Sequence, residues 1–373
     1  MKRNTTRTAA CILICAALLL SAPLTALAAQ DWPMFRANPL RTGTLSAAPA
    51  QQGRIAGQVA WQRPAGQPIQ SSAALSDGIL YFGSNDGSLY AVRAEDGALL
   101  WSFATENWIY SSPAVGAGLV VFGSYDSRVY ALDPRSGAEK WRFTTHNFVA
   151  SSPAIADGRI FFGSIDGNVY CVDARTGWER WQYKAGREVY GSPAVADGVV
   201  YIGNHDGKLM ALDAKTGGLK WRAIVGGPIV AAPAVADGYV YFGSWDGKLY
   251  CAEIKNEAVV WEYDAGGSIE SAPLVAEGRV YFGNLNGTMT ALKASNGSVL
   301  WRAETGQTIA SAPTLHGGRL YFGNNDNDIV CLDARNGKEI WRIKTNAAVT
   351  TSPTAGPDAI YIGGQDGVMH CIR

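Results

Sequence analysis

Residues 141–181 read WRFTTHNFVASSPAIADGRIFFGSIDGNVYCVDARTGWERW, from one tryptophan to the next across a spacing of forty. Within this stretch, Ser151-Ser152-Pro153 is followed by an aromatic-glycine pair, Phe162-Gly163, and a tight-turn dipeptide, Asp166-Gly167. A second turn, Val172-Asp173-Ala174-Arg175-Thr176-Gly177, then leads into Trp181. The same order recurs outward in both directions without a slip: Trp61, Trp101, Trp141, Trp181, Trp221, Trp261, Trp301 and Trp341 lie forty residues apart. A period in the forties with strand-type composition marks a propeller blade rather than a helical solenoid.

One complete unit predicts four strands. Residues 69–75 form the first and end in the turn Ser76-Asp77-Gly78. Residues 79–83, rich in β-branched and aromatic side chains, form the second. Asn85-Asp86-Gly87 supplies the positive φ that a two-residue hairpin requires. Residues 88–92 make the third strand, with Leu89 and Tyr90 on opposite faces, and residues 98–103 the fourth, carrying Trp101. Four antiparallel strands per unit, eight times over, predict an all-β chain forming an eight-bladed propeller of four-stranded blades. The eighth unit starts at Val349 and stops at Arg373, after its third strand. Its missing Trp strand is expected from residues 58–64 around Trp61, so that an N-terminal strand closes the ring and removes a pair of free edges.

Composition agrees with many short strands joined by tight turns: 43 glycines, 10% aromatic and only 17% charged residues. Lys plus Arg and Asp plus Glu both number 32, with no run of like charge. The basic footprint needed to hold a phosphate backbone is missing, which argues against nucleic acid as a partner. Lys2, Arg3 and Arg7 precede an uncharged stretch, residues 8–30, with an apolar centre at residues 12–20 and Ala26 and Ala28 in an A-x-A arrangement. This reads as a secretory signal, residues 1–28, cut after Ala28, against the alternative of an uncleaved anchor. Cys11 and Cys15 lie inside the apolar run rather than at the cut. The expectation is a monomeric periplasmic or secreted protein with no membrane span after signal removal. Residues 29–54 form a lead-in and residues 55–373 one propeller domain.

Cys171, Cys251, Cys331 and Cys371 occupy one repeat position, where Ala91, Ala131, Ala211 and Ala291 stand in other units. A slot that takes only Ala or Cys is tight and buried, so free thiols are expected there. Neighbouring blades pack ~10 Å apart, beyond the ~7 Å Cα reach of a disulfide.

The turns before the Trp strands carry a further pattern. Asp-Ala-x-Thr-Gly-x-x-x-Trp, as in Asp173 to Trp181 and Asp213 to Trp221, resembles the tryptophan-docking motif of the pyrroloquinoline quinone (PQQ) type eight-bladed propellers. Asp31-Trp32-Pro33-Met34-Phe35-Arg36 is similar to the lead-in that precedes many of them. The resemblance covers Trp61 to Arg373 and implies that each indole packs on the turn of the adjacent blade. Arg93 replaces the Asp in the first turn, and Glu253-Ile254-Lys255-Asn256-Glu257 lacks both Asp and Gly in the fifth, so docking at those two turns is left open.

Shared positions hold the frame of a repeat protein, and function is sought where units differ. The loops joining each Trp strand to the next blade carry Trp108, Tyr110, His146, Phe148, Arg187, Glu188, Tyr190 and Glu270. The tips before the Asp-Gly turns carry Tyr125, His205 and Trp245. Both sets are expected on one face, around the mouth of the central channel, as the ligand- or partner-binding residues. Aromatics and arginine are the types that anchor interfaces; the competing reading is ordinary loop variation.

The family includes quinoprotein dehydrogenases, which the resemblance associates with long insertions, an adjacent cysteine pair, a calcium held by Glu and Asn, and an Asp base. None of those can be placed here residue by residue, so no catalytic residue, metal or cofactor is expected, PQQ with calcium being the minority alternative. The resemblance to the BamB-like propellers of the outer-membrane barrel assembly machine implies a non-catalytic scaffold that binds an envelope protein or peptide. A small quinone or glycan bound in the channel mouth is the alternative from another class. The Asp-Gly tips and Asn324-Asn325-Asp326-Asn327-Asp328 lack the bidentate Glu of a calcium loop, and the Ser-Ser pairs lack a partnered His.

Overall fold

The computed structural model describes residues 31–38, 40–43 and 54–373; the signal reading lies outside the described residues. Eight four-stranded antiparallel sheets follow one another around an axis, each blade built of strands consecutive in sequence except the last. Blade 1 comprises Ala74–Ser76, Ile79–Gly83, Ser88–Arg93 and Leu99–Ala104. In blade 8, Val59–Pro64 pairs antiparallel with Val368–Ile372, Trp61 standing opposite Cys371. Gln58 and Arg373 extend the pairing with reciprocal backbone hydrogen bonds of 2.9 Å. The ring is therefore closed by the N-terminal strand.

The innermost strands are shorter than expected, three residues in blade 1, because the Ser-rich segment before them bonds sideways instead of into its own sheet. Ser71, Ser111 and Ser151 each donate from Oγ to a carbonyl of the next blade at 3.0 Å. Ser112, Ser152 and Ser192 accept through Oγ the N–H of Ser72, Ser112 and Ser152, and Ser352 and Ser72 continue the series across the closure. Small side chains thus let the blades crowd the axis, and their hydroxyls join blade to blade. Ala232, Ala272 and Ala312 interrupt the series in blades 5, 6 and 7.

Docking of the indoles follows the motif. Nε1 of Trp101, Trp141, Trp181, Trp261 and Trp301 donates to the carbonyl thirty-three residues on, at 2.9–3.1 Å. At the first turn docking holds despite Arg93: Trp61 Nε1 donates to Ala94 at 3.0 Å. Gly97 explains why it survives. Its φ of +72° suits glycine, and a Cβ there would come within 2.8 Å of the Trp61 ring. At the fifth turn Glu257 takes the positive φ, 55°. No indole hydrogen bond forms there among the described residues, yet Trp221 stays buried and packs with Ile254. Trp341 docks on the lead-in, donating to Ile55 O at 3.3 Å with Gly57 beneath its ring. The N-terminal segment therefore supplies blade 8 with a strand and blade 7 with its docking turn.

Cys171, Cys251, Cys331 and Cys371 are free and buried, and each stands opposite a docking tryptophan across the third and fourth strands. Burial pushes the four thiols up to about 12, which makes them inert.

Candidate functional site

The central channel is open at one end and sealed at the other. The seal is the lead-in. Trp32 and Leu75 exchange backbone hydrogen bonds of 2.8 Å, and the carbonyls of Pro33, Leu40 and Thr42 accept from Val115, Val235 and Val275. Arg36 and Arg41, 1% and 0% exposed, spread beneath the ring. Arg36 donates to Pro273 O at 2.9 Å and to Pro313 O. Arg41 donates to Pro193 O, Ser152 O and Pro153 O at 2.9–3.0 Å and to Phe35 O. These carbonyls lie outside the strand ladders, and a guanidinium with five donors serves several at once. Burial holds both guanidiniums below their ordinary value. Between them Phe35 rises into the axis and packs on Ala231, Ala232, Ala272 and Ala312, the interruption in the serine series.

At the other end is a cup of about 530 Å³. Below it a narrower space of about 130 Å³ ends on Phe35. The waist between the two takes one residue per blade: Gln70, Tyr110, Ala150, Tyr190, Val230, Glu270, Ala310 and Thr350. The tips contribute His205, Trp245, Leu285, Asn325 and Gln365. Both loop sets therefore do meet at the mouth.

The sequence-predicted residues sort into three groups. Tyr110, Tyr190, His205, Trp245 and Glu270 line the cup. Tyr125 stands beside it in a stack with Phe148, centroids 5.0 Å apart at 8°, with Tyr110 at 6.0 Å and with Trp108 at 6.2 Å. His205 joins Tyr190 to Trp245 at centroid distances of 5.8 and 5.3 Å. Trp108 and Phe148 keep 50% and 40% of their surface exposed. The third group is the rim. Arg187 pairs with Glu188 at 3.3 Å and lies 3.9 Å from Asp206, and His146 is exposed, its N–H donating to Asp166. Sequence reading passed over Gln70, Thr350, Asn325 and Gln365 because they are neither aromatic nor charged, although their places in the forty-residue period equal those of Tyr110 and Tyr125.

The acids at this face differ in what they do. Asp86, Asp126, Asp166, Asp246 and Asp326 accept the N–H of a neighbouring blade's loop at 2.9–3.2 Å. Tyr90, Tyr130, Tyr170 and Tyr250 donate to the first four of these at 2.6–2.7 Å. The tips are thus frame, as hairpin chemistry predicts. Glu270 has no hydrogen bond or ion pair among the described residues, and burial raises its pKa. Burial also raises Tyr110, with the Glu270 charge and then Tyr190 adding to it, and pushes Tyr125 up to about 12. The Glu270 charge is therefore felt at the Tyr110 phenol.

A family model described as outer membrane protein assembly factor BamB matches residues 41–152, 125–231 and 221–372. No curated protein sequence matches. Among solved structures, the chain is similar to BamB from Moraxella catarrhalis, with 21% identity, 85% of this chain and 99% of that one covered, and a TM-score of 0.76. It is also similar to the quinohemoprotein alcohol dehydrogenase of Comamonas testosteroni, with 13% identity, 92% and 80% covered and a TM-score of 0.79. A europium-containing methanol dehydrogenase gives 13% identity, 90% of each chain and a TM-score of 0.78. At these identities the structural likeness is one of fold.

Proposed function

The chain belongs to the family of the outer membrane protein assembly factor BamB, and from that premise we propose that it is an exported, non-catalytic scaffold that holds a protein or peptide partner of the cell envelope on its mouth face. One observation carries the reading. Among the described residues, five of the six exposed large aromatics, Trp108, Tyr110, Phe148, Tyr190 and Trp245, gather with Glu270 at the open end of the channel, Trp178 standing apart, while the chain's own lead-in fills the other end. Exposed aromatics around a concave centre are the arrangement of an interface anchor. The protein works as a monomer in the periplasm or outside the cell, in keeping with the signal reading. No helix among the described residues is long and apolar enough to cross a membrane. Photo-crosslinkers placed at Trp108 and Phe148 in whole cells test the scaffold reading: a discrete adduct with an envelope protein is expected, and its absence at both positions would sink it.

A small ligand in the cup is the second reading, favoured by the stacking faces of Tyr110, Tyr190 and Trp245, with a quinone or glycan as occupant. PQQ itself is a poor match. It is a planar polycarboxylate, and the described residues lining the cup include Glu270 and neutral polar groups but no lysine or arginine. No three His, Cys, Asp or Glu side chains among the described residues stand close enough together to hold a metal ion. The residues present do not fit this cofactor. A calorimetric titration with PQQ, with and without calcium, is expected to be flat; saturable micromolar binding would restore the quinoprotein reading.

A further inference from the structure

The waist residues stand at one position of the period, so their placement around the axis follows from blade number. Tyr110, Tyr190, Glu270 and Thr350 belong to blades 2, 4, 6 and 8, and the alternate blades contribute Gln70, Ala150, Val230 and Ala310. In an eight-membered ring blades 2 and 6 are diametrically opposite. Tyr110 therefore faces Glu270 across the cup, with Tyr190 on the blade midway between them. Trp245, from the tip of blade 5, flanks Glu270 on the Tyr190 side.

Glu270 has no structural task that its position demands, since the other seven blades place uncharged residues there. Its carboxylate meets aromatic walls and no cation. Arg187, at the rim, is engaged with Glu188 and Asp206. A half-buried acid without a partner is costly to maintain. Aromatic rings share the same space with it, and the face of such a ring is the negative side of its quadrupole. An anionic ligand is repelled by such a site, and a neutral sugar hydrogen-bonds the carboxylate but leaves its charge unneutralised. A guanidinium gains from both features: it is weakly hydrated, stacks on rings and forks onto a carboxylate.

We propose that the cup is a receptor for a basic side chain, and that the partner anchors itself by inserting an arginine between Tyr110, Tyr190 and Trp245 to pair with Glu270. This rests on the mouth face being a protein-binding surface, and it deepens that reading by naming the chemistry of the anchor. The cup volume of about 530 Å³ accepts a turn of chain with its side chains. Phe35 closes the far end, so the anchor enters and leaves through the mouth and cannot thread the channel.

Calorimetric titration of the whole protein with acetyl-Gly-Arg-Gly-amide, and with the same peptide carrying neutral citrulline, tests the proposal. Saturable binding of the arginine peptide is expected, at least about tenfold tighter than its citrulline counterpart. Glu270→Gln is expected to erase that difference, and Tyr190→Leu to weaken the arginine peptide severalfold, with melting curves confirming that both variants fold. Equal affinity for the two peptides, arginine preference retained in Glu270→Gln, or no saturation at millimolar peptide would overturn the proposal. A tetramethylammonium arm separates a peptide anchor from a free organic cation: binding as tight as the peptide's would overturn the assignment to a side chain. The crosslinking experiment keeps the two readings distinguishable. A crosslinked partner retained in Glu270→Gln cells, with no arginine preference in the titration, leaves the scaffold and removes the anchor. Arginine binding without any crosslinked partner does the reverse.

Discussion

The two ends of the channel belong to one ring of eight repeats, yet they solve opposite problems. At the floor, Arg36 and Arg41 direct six donor contacts onto backbone carbonyls of the ring and the lead-in. Phe35 fills the apolar gap left where alanine replaces serine. At the mouth, Trp108 and Tyr110 are 50% and 43% exposed and Glu270 lacks a partner. Buried polar groups are normally satisfied because leaving them bare costs about 1–3 kcal/mol each. The floor meets nearly all of that demand, Arg36 Nε alone of the two guanidiniums' nitrogens standing without a partner, and reads as structure. The mouth leaves a half-buried acid, Glu270, among aromatic rings with no partner, and a local rule left unmet in this way is where a repeat protein exposes its function.

This contrast can be broken most severely by removing what the floor and the closure share. A chain starting after Pro64 loses the plug, the docking turn under Trp341 and the fourth strand of blade 8 together. Its melting temperature is expected to fall by more than about 10 °C, if it folds at all, as followed by circular dichroism. A truncation that melts like the longer chain would refute ring closure.

A single floor residue gives a smaller, separable effect. Arg41→Met strips donors from Pro193, Ser152, Pro153 and Phe35 and is expected to cost roughly 3 kcal/mol in urea unfolding, with binding at the cup unaffected. The mouth should behave in the opposite way. Changing Trp108, Arg187 and Tyr190 together to alanine is expected to abolish partner capture in a pull-down while the stability shifts by less than about 1 kcal/mol, since all three are surface residues away from the frame. Loss of folding in that variant would move them into the frame.

The smallest effect has a definite sign. Burial raises the Glu270 pKa, so the folded state holds this proton more tightly than the unfolded one, and stability falls as pH rises through the folded pKa. Glu270→Gln is therefore expected to melt slightly higher than the parent at pH 7, by on the order of a degree. The difference should vanish below the ordinary glutamate range. A lower melting temperature at pH 7 would mean that Glu270 has a stabilising partner.

How far the sequence carried each end is instructive. Blade count, strand order, the Ala-or-Cys slot and the closing strand all follow from features repeated at a fixed spacing, and repetition turns eight weak signals into one strong one. The position of Tyr110 and Tyr190 at the mouth was legible for the same reason. The floor was not. Arg36 and Arg41 occur once, outside the period, and their partners lie 277 and 152 residues away at Pro313 and Pro193. Nothing local distinguishes them from solvent-facing arginines. The docking turns show the limit of motif reading in detail. The Asp lost at Arg93 was dispensable because Gly97 kept the turn, whereas the fifth turn, lacking both, kept the packing and lost the hydrogen bond. The opposition of Tyr110 and Glu270 required the blade arithmetic to be joined to the observed closure, which fixes which blade faces which.

The closing strand also sets a schedule. Val59–Pro64 has no sheet to join until Val368–Ile372 exists, and the lead-in cannot be seated until the carbonyls of Pro273 and Pro313 are in place. Forming such contacts means closing the longest loops in the chain, and entropy makes those late events. The strand that comes first in chain order among those described is thus placed last. Seven blades can assemble in chain order, each on the one before, but the ring locks only when Val59–Pro64 meets Val368–Ile372, and until then both of its ends stay open.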